Sequence, residues 1–176
     1  MNVSGAFSDF RSTLKNTSFD SSNRVHFVEI EVECINFDKY KEYYCREISG
    51  GRCFLRSVDA VIENGGNVYF IEFKNTGVSS EVVFEVKEKC YDSILMYFDQ
   101  TGTRMTESRE KFYFILVTKY GGEGSLNKLK GKVRGKADKG WREFERKFQF
   151  FYFKKLQVMD PELFSEFLTR EGILHT

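Results

Sequence analysis

Val58-Asp59-Ala60-Val61-Ile62-Glu63-Asn64-Gly65-Gly66-Asn67-Val68-Tyr69-Phe70-Ile71-Glu72-Phe73-Lys74 is the stretch that decides how this chain folds. Two apolar runs flank a pair of glycines, the pattern of a tight β-hairpin. With Gly65 and Gly66 as the two turn residues, Asn64 opposes Asn67, and the same register sets Asp59 opposite Glu72. Directly opposed residues have Cβ atoms about 5 Å apart, where like charges repel. Side chains alternate along a strand, so Glu72 and Lys74 leave the sheet on one face. Two carboxylates facing each other among Val, Ile and Phe are costly unless a positive charge joins them. A divalent cation relieves that cost, because magnesium prefers carboxylate and water ligands. The simpler alternative is a surface hairpin whose ions face water. Each of the three charged residues interrupts an apolar run instead of lying in a polar stripe, which favours the buried site.

Outward from the hairpin, its strands span Cys53 to Ile62 and Val68 to Lys74. Before it, Val25 to Cys34 alternates as a half-exposed strand, and Asn36 or Asp38 caps a helix that reaches about Ile48 and stops at Gly50-Gly51. After it, Ser79 or Ser80 caps a helix with Val83, Val86, Cys90 and Ile94 at helical spacing, ended by Gly102. Residues 111–118 are apolar throughout, as in a strand covered on both faces. A strand is expected around Phe148–Phe153, and Asp160-Pro161 opens a last helix that Gly172 ends. The order β-α-β-β-α-β-β-α makes the chain α/β (α+β), with a central mixed sheet flanked by helices. Its 176 residues suit one domain, with 1–23 as an arm or one short helix and 120–147 as a basic loop region.

Asp59, twelve intervening residues and then Glu72-Phe73-Lys74 resemble the signature of the PD-(D/E)xK nuclease superfamily, the restriction-endonuclease-like fold. The likeness covers about half the chain, since that family's helix, three-strand meander, helix and further strand match residues 36–118. Val58 stands where the family often has proline. The resemblance implies a Mg²⁺ or Mn²⁺ held by Asp59, Glu72 and the backbone carbonyl of Phe73, with Lys74 orienting the attacking water. It also implies accessory residues. Glu42 and Glu47 are both candidates for an acid from the first helix. Lys87 and Tyr91 look like a weak version of the family's Gln-x3-Tyr motif, with lysine for glutamine.

Charge is balanced overall, 27 Lys+Arg against 26 Asp+Glu, but not evenly spread. Between Asn127 and Lys147 nine positive charges stand against three negative, and the rest of the chain is net acidic. Lys128, Lys130, Lys132, Arg134, Lys136, Lys139 and Arg142 form a positive field able to hold a phosphate backbone, and Trp141 can stack on an unpaired base. With one proline and 19 phenylalanines the chain is not of the disordered class. No apolar run approaches the roughly 18 residues of a membrane span, and the N-terminus shows no signal peptide. The four cysteines lack Cys-x2-Cys spacing and are expected as reduced thiols in the cytoplasm. The functional expectation is a metal-dependent nuclease, with DNA favoured over RNA as the partner and a homodimer by analogy with small nucleases. A catalytically inactive binding protein on the same fold is the alternative.

Overall fold

Gly65 and Gly66 both adopt left-handed backbone, at φ 57° and 79°, so the chain reverses in two residues between its two central strands. The computed structural model describes residues 5–76, 79–119 and 136–175. After a 3₁₀ turn (Gly5–Phe10) come β1 (Arg11–Thr13), α1 (Leu14–Thr17), β2 (Phe19–Asp20), β3 (Val25–His26), β4 (Glu33–Asn36) and α2 (Phe37–Ser49). The hairpin is β5 (Ala60–Asn64) and β6 (Asn67–Lys74), and it is followed by α3 (Ser80–Thr101), α4 (Met105–Lys111) and β7 (Phe112–Thr118). The remaining described elements are α5 (Lys136–Phe151), β8 (Lys155–Met159) and α6 (Pro161–Arg170).

Six strands form one mixed sheet in the order β1-β4-β5-β6-β7-β8. The first three pairings are antiparallel, while β6–β7 and β7–β8 are parallel. This is the expected mixed sheet flanked by helices. On one face Val61, Phe70, Phe114 and Leu116 pack against Tyr40 of α2, Val86 and Cys90 of α3, and Phe144 and Phe148 of α5. On the other, Ile71, Ile115 and Val117 meet Leu14 of α1 and Phe164 and Leu168 of α6. β7 is covered on both faces, as its uniform apolarity requires.

Caps follow the residues. Asn36 accepts from Lys39 N–H at 3.0 Å, Ser79 from Val82 N–H at 3.3 Å and Asp160 from Leu163 N–H at 2.9 Å. Gly50 and Gly102, at φ 64° and 68°, end α2 and α3.

Several expectations are corrected. Residues 5–23 are not a free arm: Phe7 is wholly buried, Arg11–Thr13 pairs with β4 as the sheet edge, and the alternative, one short helix, is α1. The strand expected over Val25–Cys34 is interrupted, because 27–32 leaves the ladder and drops Val28 and Val32 into the second core. Residues 53–59 lie outside the sheet, held instead by α3 side chains: Arg56 N–H donates to Asp92 Oδ2 at 2.8 Å and Val58 N–H to Ser93 Oγ at 2.9 Å. Residues 136–147, placed in a basic loop, are helical, and so is the start of the strand expected at Phe148–Phe153. Phe144 and Phe148 stand at i, i+4 and bury one helix face, so helical periodicity overrides the strand preference of the aromatic run. The strand lies later, at Lys155–Met159. Lys128, Lys130, Lys132 and Arg134 lie outside the described residues.

The four cysteines are not all thiols. Gly50 and Gly51 turn the chain back after α2, and Cys53 forms a disulfide with Cys45, their Cα atoms 5.1 Å apart. Cys34 and Cys90 are free and buried.

Candidate active site

β5 and β6 pair from Asn64↔Asn67 to Ala60↔Ile71, and although pairing stops there, Asp59 and Glu72 follow directly along the two segments and both meet Lys89. Val61 and Phe70 pack toward α3, and period-two alternation therefore sends Asp59, Glu72 and Lys74 to that same face. Three bonds fix Asp59. Val58 is tied to Ser93, the Asp59 carbonyl accepts from Phe37 N–H at 3.2 Å, and its Oδ2 accepts from Phe73 N–H at 2.7 Å. Phe73 itself points to the opposite face, in edge contact with Phe164.

The acids are not alone. Lys89, from the middle of α3, places Nζ 2.7 Å from Glu72 Oε1 and 3.6 Å from Asp59 Oδ1. Lys74 Nζ lies 3.2 Å from the same Glu72 oxygen and 2.7 Å from Glu85 Oε1. The Glu72 side chain is 0% exposed, against 16% for Asp59, 15% for Lys89 and 19% for Lys74. Both lysines meet Oε1, whereas the second oxygen, Oε2, is buried with no hydrogen-bond partner.

Burial and the facing Asp59 push the Glu72 carboxyl up to about 8, against the pull of both lysines. Burial also raises Asp59, opposed by Lys89 and the Phe73 N–H. For Lys89 burial works toward the neutral form, but Glu72 and Asp59 outweigh it and its ammonium is held above the ordinary value. For Glu85 burial is outweighed by the bond from Lys74, and its carboxyl lies below the ordinary value. Cys90 is pushed well up by burial and then by Glu72, so it is a buried thiol and no nucleophile.

A cleft of about 420 Å³ opens beside Asp59, Phe73, Lys74 and Glu85. The small β2–β3 hairpin walls it, and Asp20 accepts from Asn75 there at 3.3 Å. A larger cleft, about 660 Å³, lies at the Gly65-Gly66 end of the hairpin, away from these acids.

Of the residues expected here, the fold brings Asp59, Glu72, Phe73 and Lys74 together. The accessory expectations fare differently. Glu42 and Glu47 are exposed on the outer side of α2. The acid that α2 turns toward the site is Asp38, which accepts from Ser57 Oγ and adds repulsion to Asp59. Tyr91 packs on Phe148 of α5 at 4.6 Å, beneath Lys147, and Lys87 lies two residues from Lys89, on the other side of α3. Trp141 is half-buried against Phe144, so stacking on a base would need it to leave that contact; Arg142 is exposed. Lys136 and Lys139 stand in the first turn of α5, their side chains outside the described residues.

Lys89 and Glu85 carried a legible signal. Val82, Val86 and Cys90 mark the sheet-facing stripe of α3, and Glu85, Lys89 and Ser93 fall at i, i+4 and i+8 on that stripe. Polar residues recurring within an apolar stripe face something buried and charged.

No family model, no curated protein and no solved structure matches the chain.

Proposed function

We propose that this chain is a metal-dependent nuclease that hydrolyses phosphodiester bonds of nucleic acid, DNA in the first place, by a metal-activated water. One observation carries the reading: Glu72, a fully buried carboxylate with an unpartnered oxygen, shares Lys89 with Asp59, and Asp59 lines an open cleft. Buried carboxylate oxygens without a partner are rare enough to need an explanation. Among the described residues no three His, Cys, Asp or Glu side chains group as a complete metal-binding set. Magnesium suits that shortage, because it commonly takes one or two carboxylates and keeps several waters. Asp59, Glu72 through Oε2 and the Phe73 carbonyl are the ligands this reading assigns. The ion, when bound, lowers the pKa of its water and offsets charge on the phosphate.

The chain's own residues supply the rest. Lys74, steadied by Glu85, orients the water and meets charge developing on the phosphate. The cleft rim is acidic, with Asp20, Asp59 and Glu85 set against Lys74, so a polyanion enters favourably only after a cation has joined the acids. The basic run from Lys128 through Arg142 holds the strand, and the cytoplasm is the setting we assign. There is a second reading with an observation of its own: Lys89 already bridges the two acids, which suits a non-catalytic nucleic-acid-binding protein.

Incubation with single- and double-stranded DNA and RNA, in Mg²⁺, in Mn²⁺ and in chelator, separates the two. The nuclease reading expects cleavage that chelator abolishes. Binding without cleavage under every condition supports the second reading.

A further inference from the structure

Two ammonium groups already stand among three carboxylates, Asp59, Glu72 and Glu85, at the foot of β6. Lys74 and Lys89 both lie on Glu72 Oε1, at 3.2 and 2.7 Å, and Lys89 alone also approaches Asp59, at 3.6 Å. A divalent ion added to that cluster would leave an uncompensated positive charge in a largely buried site, which is costly in poorly solvated surroundings. One lysine must therefore leave as the ion enters.

The two lysines are not equivalent. Lys74 keeps a second anchor, Glu85 at 2.7 Å, and its backbone is held on β6 by pairing with Thr118 of β7. Lys89 meets Glu72 Oε1 at 2.7 Å and Asp59 Oδ1 at 3.6 Å, so its charge would oppose any cation that the two acids shared. Glu85 lies one helical turn before Lys89 and within its electrostatic reach, so a withdrawn Lys89 meets a carboxylate at the cleft. The Lys89 side chain is 15% exposed, so unlike Glu72 it is not sealed from solvent.

We propose that Lys89 is a resident counter-ion of the Asp59–Glu72 pair, and that a divalent cation binds by displacing its ammonium toward Glu85. This rests on the metal-site reading above and makes Lys89 a positioning residue: it keeps the acids together before the ion arrives and sets how tightly the ion is held. Metal affinity is accordingly lower than two carboxylates alone would give.

Calorimetric titration of Mn²⁺ into the full chain, at one fixed pH and without nucleic acid, tests it. Lys89→Met removes the competing charge at similar length, and Lys89→Gln is the milder companion should the first variant fold poorly. Circular dichroism checks both. We expect each folded variant to bind Mn²⁺ at least tenfold more tightly than the unaltered protein, and Lys89→Arg to bind no more tightly. Tight binding by Lys89→Met where the unaltered chain binds too weakly to detect also supports displacement. Affinity that is unchanged or weakened in both neutral variants, while the unaltered chain binds, overturns the role of Lys89 and leaves the metal site standing. No binding by any of them overturns both.

Discussion

A carboxylate with no exposed surface and two ammonium neighbours is held by balance, and removing one member exposes the charge of the others. Truncating one partner of a buried ion pair commonly costs about 3–5 kcal/mol. Two carboxylates alone would repel, so deleting one would relieve the sheet; with Lys74 and Lys89 both on Glu72, the sign reverses. Glu72→Ala should therefore be destabilised by about 1–3 kcal/mol in urea unfolding in chelator near neutral pH, where the raised carboxyl is largely protonated and its loss strands the two ammonium groups on Oε1. Asp59→Ala should be destabilised too, because it also strands the Phe73 N–H. Equal or greater stability in either variant would sink the balanced-cluster account. The pH dependence follows from Glu72, whose carboxyl is raised from its ordinary 4.5 to about 8. The folded chain binds that proton more tightly than the unfolded one, so this contribution is whole below about 4.5 and lost as pH rises toward 8. In chelator the melting temperature should fall across that interval, and Glu72→Gln should flatten the fall; an identical slope in the variant counts against the shift.

At the scale of elements, the hairpin was the most legible part, since two glycines with positive φ permit one register and that register carries Asp59 to Glu72. The capped helices were nearly as plain, because Asn36, Ser79 and Asp160 each satisfy a free N–H that the helix start creates. What stayed hidden depended on partners distant in sequence. Whether 53–59 pairs as a strand is decided by Asp92 and Ser93 on α3, and whether Lys89 meets an acid is decided by how α3 lies on the sheet. The run Phe148-Gln149-Phe150-Phe151-Tyr152-Phe153 misleads for the same reason: it is almost wholly aromatic, as in a buried strand, but Phe148 is buried on a helix face against Tyr91 of α3. Phe148→Ala should cost about 3–5 kcal/mol and loosen α5 from α3. Urea unfolding together with amide exchange along α5 checks it, and a cost under about 1 kcal/mol would mean the face is not packed as described. The disulfide is a similar case, closed by the turn at Gly50-Gly51. Alkylation of the denatured, unreduced chain should label two thiols, Cys34 and Cys90; four labelled thiols would restore the reduced expectation.

Across the whole molecule, the segregation of charge is the feature that most concerns function. The segment around Lys128–Arg134 is basic and the remainder acidic, so under the nuclease reading one part gathers the polyanion and another cuts it. Neutralising Lys128, Lys130, Lys132 and Arg134 together should weaken binding similarly for all sequences. It should also lower the slope of log affinity against log salt by about 0.9 for each duplex phosphate that is no longer neutralised. Turnover at saturating nucleic acid should hardly change, and an unaltered salt slope would mean the strand runs elsewhere. Asp59 and Glu72 are reached most directly by one measurement: cleavage of end-labelled DNA by the unaltered chain, Asp59→Asn and Glu72→Gln, each in Mn²⁺ and in chelator. Cleavage by the unaltered chain in Mn²⁺ alone, and none by either variant, is the predicted result. Cleavage that persists in chelator, or in both variants at full rate, would contradict it.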